Sequence, residues 1–145
     1  MTISRDLGDR GHLASNPNLL INGGFDVWQR GTSQTSVGYG SADRWRSANT
    51  GCTKAVSRQA FTKGQTDVPG NPLYYHRTIV TGVAGASNYA NLEHYIEQVE
   101  TASGGPYTLS FWAKADAAKD IAVETYQIFG SGGSAFVLVA PQTIT

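Results

Sequence analysis

The 145-residue chain has little charge, a single cysteine and no long apolar run. Eleven Lys and Arg residues balance eleven Asp and Glu residues, so the sequence does not predict nucleic acid as a partner. No stretch is apolar over the roughly 20 residues that a membrane-spanning helix needs, so we expect no membrane insertion. Cys52 has no second thiol to pair with, which excludes an internal disulfide. No motif places a histidine or an acid around Cys52, so a plain structural thiol is favoured over a nucleophile.

Catalytic and metal-binding patterns are missing as well. The three histidines are far apart in sequence and lack metal-ligand spacing: His12, His76 and His94. The Gly130–Gly133 run is more typical of a turn than of a phosphate loop, because no helix start follows it. Glu93 and Glu97 would resemble a glycosidase pair if both faced the same side of a strand. Carboxylates on a solvated strand face are, however, far commoner than catalytic pairs. The sequence therefore predicts a protein that is not an enzyme and needs no cofactor.

Glycine is plentiful, with 17 residues, whereas charged residues are only 15% of the chain. Many turn residues and scattered aromatics favour an all-β sandwich or barrel. Strands are predicted at Lys54–Phe61, Leu73–Thr81, Asp120–Phe129, Phe136–Ala140 and Gln142–Thr145. Asn91–Val99 has helical spacing, but its place between strand candidates favours a strand. The cluster Asp43–Arg46 is interpreted as the start of a strand with Trp45 in the core.

The most regular strand pattern is Pro106–Lys114. Tyr107, Leu109 and Phe111 alternate with polar residues, which predicts one buried face. Trp112 belongs to the opposite face. Two interpretations stay open there: another part of the protein covers the ring, or the ring is left open for a ligand to stack on.

Residues 1–17 are polar and of mixed charge, so they cannot form a core. They lack the apolar centre of a secretory signal. We expect either a flexible arm or a segment that docks on a partner, with residues 18–145 forming the folded domain. The docking candidates are two charged and two apolar residues: Arg5, Arg10, Leu7 and Leu13. Because the last predicted strand ends without a turn, we also expect the chain to continue beyond residue 145.

Several segments together resemble bacteriophage tail fibre and tail-associated proteins. Asn18–Gly31 resembles their opening, and Ala42-Asp43-Arg44-Trp45 is similar to the short motif that follows it. Leu92–Val99 followed by Tyr107–Asp116 looks like their central pair of strands. The first residues, Met1–Leu7, also resemble the start of such virion proteins.

The resemblance implies an antiparallel jelly-roll β-sandwich of the carbohydrate-binding-module type, preceded by an extended N-terminal arm. It implies a structural virion protein, assembled in the host cytoplasm, that forms the N-terminal part of a tail fibre. Residues 1–17 would attach it to other tail or baseplate proteins, and a homotrimer is expected. The alternative is a glycan-binding module that contacts the host cell surface. Related jelly rolls often hold a structural calcium, for which the carbonyls of Asn22–Gly24 and the Asp26 carboxylate are less favoured candidates.

Sugar binding needs an aromatic platform and polar groups for the hydroxyls. The aromatic candidates are Trp112, Tyr74, Tyr75, Tyr95 and Trp28, and the polar candidates are Arg77, His94, Glu93 and Glu97. Each of these residues, taken alone, is more typical of core or surface packing.

Overall fold

A computed structural model describes residues 18–98, 101, 106–139 and 141–145. Within these ranges the regular structure consists of nine β-strands, and every strand pair is antiparallel. The prediction of an all-β, antiparallel fold is therefore confirmed. No helix among the described residues is long and apolar enough to cross a membrane. The predicted docking residues Arg5, Leu7, Arg10 and Leu13 lie outside the described ranges.

The chain divides into two compact units, Met1–Tyr95 and Ile96–Thr145. The strands of the first unit are β1 (Ser33–Gln34), β2 (Trp45–Thr50), β3 (Thr53–Ala60), β4 (Tyr74–Thr81) and β5 (Tyr89–His94). Those of the second unit are β6 (Ile121–Val123), β7 (Tyr126–Gln127), β8 (Val137–Leu138) and β9 (Gln142–Ile144).

The first unit contains two sheets, one with the order β1-β3-β4 and one formed by β2 and β5. The β3–β4 ladder runs without interruption from Thr53↔Thr81 to Ala60↔Tyr74, so both predicted strands are confirmed. The β2–β5 ladder begins at Trp45↔His94, which confirms a strand start at the Asp43–Arg46 cluster. β5 shows that the first part of Asn91–Val99 is a strand rather than a helix.

The interior of the first unit is unusually polar. Its buried residues are Trp28, Ala42, Ala48 and Val56 among the apolar ones, and Gln34, Ser41, Ser47 and Lys54 among the polar ones. Gln34 lies in β1, within a segment rich in glycine, serine and threonine. Its amide donates to the carbonyls of Ser36 and Gly38 and accepts from the Gly40 amide. The loop after β1 is therefore organised around the buried side chain of Gln34. Both the nitrogen and the oxygen of this side-chain amide have hydrogen-bond partners, as buried polar groups normally do.

The second unit is built from two short ladders, β6–β9 and β7–β8. The predicted strand Asp120–Phe129 divides into β6 and β7. Phe136–Ala140 contains β8, although Ala140 lies outside the described residues, and Gln142–Thr145 contains β9. The ring of Tyr126 meets that of Phe136 edge-on, with centroids 5.8 Å apart.

The prediction of a strand over Pro106–Lys114 with a buried face is wrong for the described structure. The segment belongs to no ladder, and Leu109 is 51% and Trp112 69% exposed. Alternation shows that a segment suits a strand, but a strand forms only where a neighbour supplies the hydrogen bonds. In the described part of the chain no strand pairs with this one. Its side chains line only a shallow cleft together with Ile144 of β9.

Candidate functional site

Asn22 joins two of the segments on which the resemblance rests, residues 18–31 and 42–45. It begins an Asn-Gly pair, which is a strong turn signal in a sequence. Its φ is 57°, a left-handed conformation that asparagine tolerates better than most residues. Its side-chain Nδ2 donates to the carbonyls of Val27 and Asp43, both at 2.9 Å, and its Oδ1 accepts from the Val27 amide at 3.0 Å. Its backbone carbonyl accepts from the Trp45 indole at 2.9 Å and from the Phe25 amide at 3.1 Å. This predicted calcium-ligand oxygen is therefore already hydrogen-bonded.

We call residues 21–29 the corner. A row of contacting aromatic rings packs along it. Neighbouring rings along it, with their centroid separations, are His94 and Trp45 (4.9 Å), Trp45 and Phe25 (5.1 Å), Phe25 and His76 (5.1 Å), and His76 and Trp28 (6.0 Å). These rings come from β2, β4, β5 and the corner itself. The corner therefore packs against both sheets of the first unit, and Trp45 is half-buried among them, as predicted.

The corner explains the positions of two predicted binding residues. Trp28 is only 8% exposed, and its indole donates to the Phe25 carbonyl, so it is a core residue and presents no open ring to a glycan. His94 Nε2 lies 3.1 Å from the Ile21 amide and 3.2 Å from the Ile21 carbonyl, so it anchors the start of the corner.

Tyr74 and Tyr75, two of the other predicted aromatic residues, do not form one platform. Tyr74 is half-buried, with the Arg58 guanidinium 4.3 Å above its ring. Tyr75, the next residue of β4, packs against Phe61 at 4.8 Å. Successive strand residues point to opposite faces, so these two tyrosines cannot act together. Trp112 belongs to the second unit.

The predicted polar residues are also separated. Arg77 lies in β4 opposite Ser57 and is exposed. Glu93 lies in β5, whereas Glu97 follows the end of that strand in a bend. The two carboxylates therefore do not share a strand face, and the arrangement that would resemble a glycosidase pair is not formed.

Pairing across the strands assembles a different cluster. Arg46 of β2 lies directly opposite Glu93 of β5. The bridge between Gly38 and Ser47 places Tyr39 beside Arg46 on the other side of β2. Tyr95 follows Glu93 by two residues, on the same face. We call Tyr39, Arg46, Glu93 and Tyr95 the tyrosine–arginine patch.

A charge-assisted hydrogen bond organises this patch. Arg46 Nη1 lies 2.6 Å from Glu93 Oε2, and the Tyr95 hydroxyl donates to the same oxygen at 3.1 Å. The bond to Glu93 raises the pKa of Arg46 above its ordinary value. Burial, and then the charge of Glu93, raise the pKa of Tyr95, so its phenol is a neutral donor at physiological pH.

The two tyrosines leave much of their rings accessible, with Tyr39 45% and Tyr95 40% exposed. The Arg30 guanidinium lies 5.8 Å from the Tyr39 ring centroid. The patch thus combines aromatic surface with preorganised charged groups, which is the combination that binds polyhydroxylated or peptidic ligands.

No family model, curated protein or solved structure matches this chain. Its site must therefore be understood from its own residues. Among the described residues, no group of three or more His, Cys, Asp or Glu side chains is placed to hold a metal ion.

Sequence reasoning missed Tyr39 and Arg46 as site residues. Tyr39 stands in a glycine-rich loop, and its proximity to Arg46 depends on a bridge that no local pattern predicts. The sequence pattern predicts only that Arg46 lies at the start of a strand. Once β2 and β5 are paired, the register alone brings the patch together.

Proposed function

We propose that the protein is a non-enzymatic structural component of a bacteriophage virion and forms the N-terminal part of a tail fibre. Residues 1–17 attach it to the tail or baseplate. One observation carries the proposal: the two segments that resemble tail fibre proteins, 18–31 and 42–45, meet at the Asn22 hydrogen bonds.

The distinctive residues of both segments have structural tasks in this arrangement. The Trp45 indole donates to Asn22, the Trp28 indole donates to Phe25, and an Asp43 carboxylate oxygen accepts from the Gln29 amide at 3.2 Å. None of these groups is presented for chemistry. A motif whose residues are used in this way supports a scaffold role rather than catalysis.

The finer architecture belongs to the same proposal. The two sheets of the first unit form part of a jelly-roll sandwich, and three copies assemble into a homotrimer. β4 supports this assembly, because it is an eight-residue strand at the edge of its sheet. Long exposed edges are normally covered in the assembled state.

Deletion of residues 1–15 tests the attachment. The shortened chain is expected to fold and to melt like the full chain, but to be absent from assembled particles. The matched control is the full-length Lys63→Ala variant, which changes an exposed residue between β3 and β4, outside the proposed trimer edge, and should be incorporated normally. Normal incorporation of the shortened chain would contradict attachment through residues 1–17. Loss of folding would show that the arm belongs to the folded unit.

A second candidate function, a glycan-binding module at the host surface, is favoured by the tyrosine–arginine patch. A pyranose stacks its CH groups on an aromatic ring while charged side chains bond its hydroxyls. Tyr39 and Tyr95 supply exposed rings, and Arg46 and Glu93 supply donors and an acceptor held at 2.6 Å from each other. Both described hydrogen bonds to Glu93 use Oε2, so Oε1 faces no donor from this pair.

Ligand-observed NMR with a panel of methyl pyranosides at about 10 mM tests this candidate, because that concentration detects millimolar affinities. Saturation transfer to at least one sugar is expected. Tyr39→Ala should abolish it, and Tyr95→Phe, which keeps the ring but loses the hydroxyl, should weaken it. Tyr75→Ala, a change at an equally exposed tyrosine outside the patch, should leave it intact. Equal signals from the Tyr39→Ala and Tyr75→Ala variants, or no transfer from any sugar, would exclude the patch as a glycan site.

A further inference from the structure

His76 of β4 is a half-buried titratable side chain that neither candidate function uses. Its ring lies against Phe25 and Trp28 of the corner, with centroids 5.1 and 6.0 Å away. Its Nδ1 is 3.4 Å from the Thr78 hydroxyl. Its Nε2 is buried and has no hydrogen-bond partner among the described residues. The neutral ring thus packs as an aromatic group, with one nitrogen facing no acceptor.

The charged neighbours of His76 do not favour its protonation. β3 contributes Lys54, which is only 4% exposed and donates to the Asn91 carbonyl of β5, and Arg58, which is opposite His76 in the ladder. Burial, and then the positive charge of Lys54, lower the pKa of His76 to about 4.

Carboxylates are present on the other packed elements, but they are engaged elsewhere. Asp43, just before β2, accepts from the Gln29 amide, and Glu93 of β5 is paired with Arg46. The corner itself carries Asp26, which is exposed. The further charged groups nearby in sequence are Arg44 before β2 and Arg77 beside His76.

We propose that the corner, residues 21–29, is an acid-sensitive latch that separates from β4 when the His76 ring takes up a proton. An imidazolium has two N–H donors that both require acceptors, and the rings of Phe25 and Trp28 supply none. Protonation also adds a second cation to an interior that already holds Lys54. Separation of the corner lets water reach both ring nitrogens and relieves both problems. This inference does not rest on the proposed function.

The direction of the pH dependence follows from proton uptake. The closed corner holds a ring that protonates near pH 4, whereas the ring in the open corner protonates near its ordinary value of 6.5. Between these values the open form binds more protons, so acid favours it. The ratio of open to closed forms then rises by up to about tenfold for each pH unit, and by about 40-fold in total between about pH 6.5 and pH 4.5.

Amide hydrogen exchange, corrected for the intrinsic effect of pH on exchange, tests the latch. The reporter amides are those of Val27 and Gln29, which donate to the side chains of Asn22 and Asp43. The reference amides lie in the β3–β4 ladder. From about pH 7 to pH 4.5, protection of the reporters should fall by about 60-fold relative to the reference. Unchanged relative protection in the native chain would overturn the proposal.

The variant His76→Phe keeps the ring and cannot be protonated, so its reporter amides should stay protected at acid pH. If that variant does not fold, His76→Asn serves instead, and its corner should be looser than native at every pH, without the acid dependence. The matched control is His94→Asn, which removes the other histidine that contacts the corner: its corner should be looser than native at every pH, but it should retain the acid dependence because His76 is unchanged. Acid opening that persists without His76, or disappears in the His94 variant, would assign the effect to another group and refute the latch.

Discussion

Replacing Asn22 by alanine tests the central element of the first unit. Asn22→Ala removes three side-chain hydrogen bonds, two with Val27 and one with Asp43, and leaves the backbone bonds in place. It also puts a side chain without a local hydrogen bond at a φ of 57°. Both effects should destabilise the corner.

The magnitude follows from the burial of these bonds. A typical hydrogen bond contributes a net ~0.5–1.5 kcal/mol, and the lower half of that range applies because both bonds to Val27 are solvent-exposed. Three such bonds contribute ~1.5–3 kcal/mol, and the left-handed conformation adds ~1 kcal/mol for alanine. We expect the free energy of unfolding to fall by ~2.5–4 kcal/mol.

Two further variants separate the contributions. Asn22→Gly also loses the side-chain bonds but tolerates the positive φ, so it should be more stable than the alanine variant by ~1 kcal/mol. Asn22→Asp keeps the acceptor for the Val27 amide but places a carboxylate oxygen against the Val27 and Asp43 carbonyls, so it should be no more stable than the alanine variant. Urea denaturation followed by tryptophan fluorescence gives the three values. A loss below ~0.5 kcal/mol in the alanine variant would refute the role assigned to Asn22.

Lys54→Met should leave stability at neutral pH unchanged or raise it by ~1 kcal/mol, because it removes a buried cation and keeps most of the volume. Burial lowers the pKa of Lys54 in the folded chain, so the native protein should gain stability as the pH rises towards the ordinary value of 10.5. Thermal melts of the methionine variant should lack that gain, and an identical alkaline profile would contradict the burial of a charged amine. Val56→Ala should lower the free energy of unfolding by ~2 kcal/mol, since Val56 is only 1% exposed. Leu109→Ala should cost less than ~1 kcal/mol, since that side chain is half exposed, and a larger loss than at Val56 would show that residues 106–114 are covered in solution.

The sequence correctly predicted the strands whose own residues favour a sheet. β3 and β4 are eight residues each, rich in residues that suit a sheet, and they pair with each other along their full length. Pro106–Lys114 has an equally good pattern and forms no ladder, because alternation specifies the faces of a strand but not its partner. The same limit applies to Trp28, which the sequence predicts as a binding residue although it is buried. Its burial depends on the rings around it and not on the period of its own segment.

Local turn chemistry was predicted correctly, and long-range register was not. The Asn-Gly pair indicated a turn, and residues 21–24 form one. That the same asparagine reaches Asp43 depends on where the chain returns 21 residues later. Arg46 and Glu93 are 47 residues apart, and only the pairing of β2 with β5 places them together. The patch therefore lay beyond any argument from spacing alone.

The contacts of the corner join residues that are far apart in sequence, and this separation bears on when the corner forms during folding. Trp45 reaches Asn22 across 23 residues, whereas His94 reaches Ile21 across 73, and longer loops lose more entropy on closing. We expect the His94 contact to form after β5 has paired with β2, with the corner docking on sheets that already exist. Interactions formed after the rate-limiting step affect the unfolding rate and leave the folding rate nearly unchanged. In stopped-flow experiments, substitutions at Asn22 should therefore accelerate unfolding, while the refolding rate stays close to that of the native chain.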